Sequence, residues 1–428
     1  MISIFLMFLL LSWTDARAGK SHIIYDYPFV NPYEATVLGT PSLYRTDIPD
    51  KIRIKTFEMQ LFEQRDIPEV FWYHDRFQYS LAWHKKKSPL IFVIAGTGSG
   101  YNAGTMVNLQ KILFKAGFHV VAISSPTYPN FIVTASETMV PGYIEQDARD
   151  IYRVMEMARD QITVEMGEKV RISDFYLMGY SLGAAQSAFV AIIDDEMKSF
   201  DFKKILMINP PVNLFSSVSI LDDLLDENIP GGLANFNSFF YSVFDQFADY
   251  YKNNKVNFSD PDAIYEMYKS RPVKETDLAA LIGVSFRLSS GSMIFTSDVM
   301  TRSSYIVPGN KELTYFTSLT DYGIVTFHTS FTDYFQEYFY PFFKEREPGL
   351  TREKLKYITS LESIEDYLIN QERIFLITNS DDIILEHRDI DFFRRVFRER
   401  AKIYPNGGHC GNMEYIHNVD QMMEFLKN

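Results

Sequence analysis

Cysteine is nearly missing from this chain: Cys410 stands alone among 428 residues, which excludes an internal disulfide. The fold must therefore rest on a packed core. With no second cysteine and no H-E-x-x-H spacing, nothing assembles a zinc site, and no metal is expected. A positive surplus is lacking as well. Lys and Arg number 42 against 55 Asp and Glu, a formal net charge of −13. That balance repels nucleic acid and anionic membrane surfaces at long range, so no nucleic-acid partner is expected. The one basic run, Lys85-Lys86-Lys87, reads as a hairpin end or strand edge. Internal repeats and low-complexity tracts are absent.

What remains is the composition of a globular protein. Hydrophobic residues make up 46% and charged residues 23%, so disorder is not expected. The length suits a large domain carrying an insertion, or two domains. Aromatic residues are the one excess, with 36 Phe and 27 Tyr.

The N-terminus reads as an export signal. Met1 to Trp13 is apolar and uncharged, and Asp15-Ala16-Arg17-Ala18 puts small residues at the −3 and −1 positions of a cut after Ala18. Residues 1–18 are thus expected to be removed, leaving a periplasmic or secreted chain that begins at Gly19. The apolar run is shorter than the roughly 20 residues that span a bilayer, and an uncleaved anchor is the alternative.

Residues 22–48, rich in Tyr and Pro, predict an extended arm over the domain. Lys51–Phe57 and Val70–Trp83 alternate as an antiparallel pair at a sheet edge. From Pro89 the pattern changes. Leu90–Ile94, His119–Ser124, Phe175–Met178 and Ile205–Ile208 are short apolar runs of the kind buried on both faces, and helical spacing falls between them at about 103–116 and 143–163. The rhythm breaks near Val212 and returns at Ile374–Ile377, a helix at 388–399, a strand at Ala401–Tyr404 and a terminal helix near 413–427. Alternating buried strands and helices predict an α/β fold: a mostly parallel sheet with helices on both faces, interrupted by an insertion.

Gly179-Tyr180-Ser181-Leu182-Gly183 follows the third buried strand and matches G-x-S-x-G. That pattern makes a tight strand-to-helix turn that lifts a serine hydroxyl above the sheet, and the next helix aims its N-terminal amides at a developing oxyanion. A serine hydroxyl needs a base. Of eight histidines, His409 lies in the Gly-rich loop Gly407-Gly408-His409-Cys410-Gly411 between the last strand and the last helix, where an imidazole can lie over the serine. His387 and His417 fall on helix faces. The acid comes from Asp381-Asp382, just past a buried strand. Counting from the strand end favours Asp382, and Asp381 is left to accept backbone N–H groups in the turn. The oxyanion donors are expected at Leu182 and in the loop after Ile94, with Thr97 preferred and Gly98 as the alternative. A phosphate loop is excluded there, because no Gly-Lys-Ser/Thr follows.

Taken together, these residues resemble the α/β-hydrolase superfamily of serine hydrolases. The Asp-Asp-Ile-Ile-Leu turn and the Gly-Gly-His-Cys-Gly loop are similar to an exported bacterial branch. The resemblance covers roughly residues 50–213 and 368–428. It implies a Ser–His–Asp mechanism through an acyl-enzyme, with no cofactor. One departure is Ala95-Gly96, where many members have His-Gly. The implied organisation is a hydrolase core at 19–213 and 368–428, with a largely helical cap at 214–367.

Inside the cap, Phe240, Phe244, Phe247 and Tyr251 share one helical stripe, and Phe331, Phe335, Tyr338 and Phe342 share another. These are either the cap's own core or the wall of an apolar acyl pocket. Asp222-Asp223-Leu224-Leu225-Asp226 reads as an acidic amphipathic turn. The expected function is hydrolysis of a small-molecule or lipid-like acyl ester, which leaves room for peripheral membrane contact. A thioesterase or peptidase on the same residues, or a non-catalytic binding protein of this fold, are the alternatives.

Overall fold

The run Leu90–Ile94 is apolar at every position because its strand is covered on both sides. In the computed structural model, which describes residues 25–239, 241, 242, 245, 262–270 and 273–427, eight strands form one sheet. They are β1 (Ile54–Met59), β2 (Phe77–Ala82), β3 (Ser88–Ile94), β4 (His119–Ile123), β5 (Ile172–Tyr180), β6 (Ile205–Ile208), β7 (Ile374–Asn379) and β8 (Ala401–Tyr404). Their order is β1-β2-β4-β3-β5-β6-β7-β8, with β1–β2 and β2–β4 antiparallel and every other pair parallel. The predicted export segment, residues 1–18, and the stripe Phe240, Phe244, Phe247 and Tyr251 lie outside the described residues.

Eight helices matter below: α1 (Pro32–Leu38), α2 (Gly104–Lys115), α3 (Ile144–Met166), α4 (Leu182–Met197), α5 (Leu214–Asn228), α6 (Glu275–Thr301), α7 (His387–Phe397) and α8 (Ile416–Lys427). Leu90, Phe92 and Ile94 of β3 join a core with Ile151 and Val154 of α3, Ala188 of α4 and Phe393 of α7. The intervening Ile91 and Val93 join a second core with Leu109 and Leu113 of α2 and Met422 and Leu426 of α8. Full burial of each such side chain stabilises the fold by roughly 1.5–3 kcal/mol, so the parallel strands advertise themselves in the sequence.

Several expectations change in detail. The strand expected over Val70–Trp83 begins only at Phe77: Pro68 leads into one tight helical turn at Glu69–Phe71, and Trp72 and Tyr73 are exposed. The run Lys85–Lys87 is not a hairpin end. β2 pairs with β4 while β3 lies beyond β4, so the lysines sit on a crossover. The N-terminal arm is not wholly extended either. Asn31 accepts hydrogen bonds from the Tyr33 and Glu34 amides, and Pro32 follows as the first helical residue, which starts α1.

Between β6 and β7 the described chain is helical. It rejoins the core at Leu361, whose N–H donates to Val212 O at 2.7 Å. Helix α6 is long and apolar enough to cross a membrane, yet two-thirds of that stretch is buried inside the protein. The acidic turn predicted at 222–226 belongs to α5, and Asp222 is buried. Its carboxylate takes the Arg287 guanidinium of α6 at 2.9 Å and the Phe331 amide at 2.8 Å. This buried ion pair joins α5 to α6.

Candidate active site

Ser181 sits between β5 and α4 with φ 54° and ψ −128°. That conformation is rare for a residue with a Cβ and costs roughly 1–3 kcal/mol. Crowding holds it in place. A Cβ on Gly179 would lie 2.1 Å from Gly183 O, and one on Gly183 would lie 2.4 Å from Ile94 O, so both flanking glycines are required by close backbone approach. The Ser181 amide is spent on Ile208 O at 2.8 Å, which leaves the hydroxyl standing at the carboxyl end of the parallel strands.

The loop after β8 brings His409 to this hydroxyl. Its Nε2 lies 2.9 Å from Ser181 Oγ, and its Nδ1 lies 3.0 and 3.1 Å from the two oxygens of Asp382. The three residues predicted from three distant segments therefore form one hydrogen-bonded relay. The tautomer that satisfies both partners carries its proton on Nδ1 and offers the Nε2 lone pair to the serine. Burial presses the imidazole toward its neutral form. The Asp382 charge and hydrogen bond, together with Cys410 beside the ring, outweigh it, raising the His409 pKa well above the ordinary histidine value.

The two adjacent carboxylates have separate tasks. Asp382 is buried and faces the imidazole, and its Oδ1 also accepts the Ile384 amide at 3.2 Å. Asp381 turns the other way and accepts the Gly407 and Gly408 amides at 3.1 and 3.0 Å, pinning the loop that carries His409. Burial pushes the Asp381 carboxyl up, and these two amides oppose that shift.

One member of the arrangement escaped the sequence reading. Asn209, fully buried at the end of β6, donates from Nδ2 to Asp382 Oδ2 at 2.7 Å. It holds a positive φ of 47°, which asparagine tolerates better than most residues. The available signal was a polar residue wedged between the apolar Ile205–Ile208 and Pro210-Pro211.

Thr97 and Leu182 border the same cavity as Ser181, and among the described residues neither amide donates a hydrogen bond. The Gly98 amide, the alternative donor, is occupied by Thr127 Oγ1 at 2.8 Å, which favours Thr97. The cavity, about 280 Å³, runs between sheet and cap. Leu214, Val218 and Leu221 of α5, Met293 of α6, and Phe335 and Phe339 line it, and no Asp, Glu, Lys or Arg does among the described residues. The second predicted stripe thus does both: Phe331 and Phe335 face the cavity and, with Tyr338, pack in an apolar cluster that also takes in Ile132 and Val140 from the segment before β5. Cys410 borders the cavity with its Sγ 3.8 Å from His409 Nε2. No group of three or more His, Cys, Asp or Glu side chains among the described residues is placed to hold a metal ion.

A hydroxyl hydrogen-bonded to an imidazole, itself bonded to a buried carboxylate and flanked by two free amides, can perform acyl transfer. No family model and no curated protein matches the chain. Solved structures similar to it include a hyperthermophilic esterase from the archaeon Pyrobaculum calidifontis, at 15% identity over 88% of this chain and 83% of that one, TM-score 0.39. A fungal esterase from Rhizomucor miehei is 13% identical over 89% and 84%, TM-score 0.42. A proline iminopeptidase-related protein from Thermus thermophilus is 14% identical over 88% and 98%, TM-score 0.39. Likenesses this distant carry no inference about the reaction; the site's own geometry does.

Proposed function

We propose that the chain is a serine hydrolase of α/β-hydrolase fold that cleaves acyl esters through an acyl-enzyme. The carrying observation is the 2.9 Å contact between His409 Nε2 and Ser181 Oγ, beside a cavity lined, among the described residues, by no carboxylate, ammonium or guanidinium. His409 takes the hydroxyl proton as Ser181 Oγ attacks the ester carbonyl, and the Thr97 and Leu182 amides receive the oxyanion. The imidazolium then gives that proton to the departing alkoxide, leaving Ser181 acylated. Water, deprotonated by the same imidazole, attacks the acyl carbonyl; collapse of the second oxyanion releases the acid and returns the proton to Ser181. Asp382 holds the ring and its charge throughout. The apolar wall supplied by α5, α6 and Phe335 receives the acyl chain.

A fluorophosphonate probe tests this. Wild-type protein is labelled at Ser181 and Ser181→Ala is not, with turnover falling by at least about 10³-fold. Labelling that persists in folded Ser181→Ala removes the nucleophile. Comparison of p-nitrophenyl esters with acyl thioesters and aminoacyl anilides separates the ester reading from thioesterase and peptidase readings. We also propose that the chain is exported, on the strength of Met1–Trp13 and the small residues before Gly19. N-terminal sequencing of exported protein that finds an intact Met1 overturns cleavage after Ala18.

A further inference from the structure

We propose that Thr36 of α1 is a positioning residue for His409, so that the N-terminal arm sets the geometry of the base. This rests on the reading of His409 given above. The loop that carries His409 has little means of holding itself. Gly407, Gly408 and Cys410 all have positive φ, at 152°, 55° and 62°, and no regular ladder runs through them. Its own backbone bonds are long, Gly411 N–H to Gly407 O at 3.2 Å and Met413 N–H to Cys410 O at 3.3 Å, and further support comes from outside. Three consecutive amides, those of Gly407, Gly408 and His409, donate to side chains from two distant parts of the chain. Asp381 takes the first two, and Thr36 Oγ1 takes the third at 2.9 Å. The Thr36 hydroxyl donates to Pro32 O at 2.7 Å, which turns its lone pair toward the His409 amide.

The arm fits the loop at backbone distance. A Cβ on Gly408 would lie 2.3 Å from Pro32 O, and one on Gly411 would lie 2.1 Å from Ala35 O. Further ties keep the two in register: Thr40 Oγ1 donates to Gly411 O at 2.9 Å, and Arg45 pairs with Glu414 at 2.9 Å. Tyr25 donates to Asn406 O, and Asn406 donates to Phe29 O. The histidine backbone is thus gripped between Asp381 on the sheet side and α1 on the other. Reacting groups displaced by about 1 Å can lose on the order of 10²-fold in rate. Thr36 touches no reacting atom and acts only through the backbone of His409.

The test compares Thr36→Val, which keeps the side-chain shape and removes the acceptor, with Thr36→Ser, which keeps it. Supporting results are a kcat about tenfold lower in Thr36→Val with KM within about twofold, slower fluorophosphonate labelling, and recovery in Thr36→Ser. The low-field proton resonance of the His409–Asp382 hydrogen bond should shift or broaden in Thr36→Val alone, a change that loss of stability in a folded protein does not produce. If Thr36→Val does not fold, Thr40→Val, which removes the tie to Gly411, carries the same expectation at smaller size. Folded Thr36→Val (or, in its place, Thr40→Val) with wild-type kcat, labelling rate and resonance overturns the proposal and leaves the Ser181–His409 reading intact. Wild-type protein that is never labelled at Ser181 overturns both.

Discussion

The sheet and the cap are held together by different means. In the sheet, the inner parallel strands are covered by helices on two faces, and backbone ladders run through it from β4 to β8. In the cap, helices pack through smaller apolar clusters, such as Leu225 of α5 and Ile229 just after it with Val284 of α6, to which buried polar anchors are added. Arg287 binds Asp222, and Asp298 accepts the amides of Tyr305, Ile306 and Val307 at 2.8–2.9 Å. The contrast assigns the work. Turns at the strand ends carry Ser181, Asp382 and His409, whereas the cap supplies most of the apolar wall of the cavity beside them. Substitutions on the sheet side should act on rate, and those on the cap side on stability and acyl preference.

The sharpest test lies between neighbours. Asp382→Asn should lower turnover by about 10⁴-fold, because the ring loses its partner and its tautomer. Asp381→Asn should cost only about tenfold, since it loosens the loop without unpairing the imidazole. Equal losses in the two variants would break the division of labour between these carboxylates. Next in size is Arg287→Met, which leaves the Asp222 carboxylate buried beside amides alone. A loss of about 3–5 kcal/mol is expected in thermal or denaturant unfolding. A loss confined to the cap, with Ser181 still labelled by a small fluorophosphonate, would sharpen the comparison; a wild-type melting curve would break it.

The pH profile is a smaller effect with a definite sign. Hydrolysis needs His409 unprotonated, so activity rises with pH through the pKa of His409. Because Asp382 raises that pKa, the midpoint should lie above that of a free imidazole. In Asp382→Asn, the largest opposition to burial is gone and only Cys410 remains to counter it, so the residual activity should titrate at lower pH. An unchanged midpoint would detach the acid from the ring. Smallest of all, Leu221→Trp should cut hydrolysis of long-chain esters about tenfold relative to acetyl esters, leaving the acetyl rate near wild type. A uniform loss across chain lengths would mean that α5 does not face the acyl group.

The same contrast explains what could be read in advance. Ser181 and His409 were legible because each stands in a glycine-rich turn just past a strand, and the glycines mark close backbone approach. Counting residues from the end of β7 favoured Asp382 over Asp381 but left the choice between them open. Asn209 and Thr36 were not legible. Each acts on a residue more than 170 positions away in sequence, and neither stands in a pattern that local periodicity can flag. In the cap, a single aromatic stripe serves both cavity wall and internal packing. Hydrophobic spacing reports that a side chain is buried without saying what lies on its far side, so Phe335 and Tyr338 looked alike.

The placement of Cys410 bears on how inhibition should be interpreted. It is the molecule's one thiol, and it borders the cavity within 3.8 Å of the basic nitrogen of His409. An alkylating reagent attached to its sulfur would obstruct the path to Ser181 and silence turnover while leaving the serine chemically intact. Sensitivity to iodoacetamide or maleimide would therefore imitate a thiol-dependent enzyme. Cys410→Ala tells the cases apart: it should escape the reagent and keep its activity.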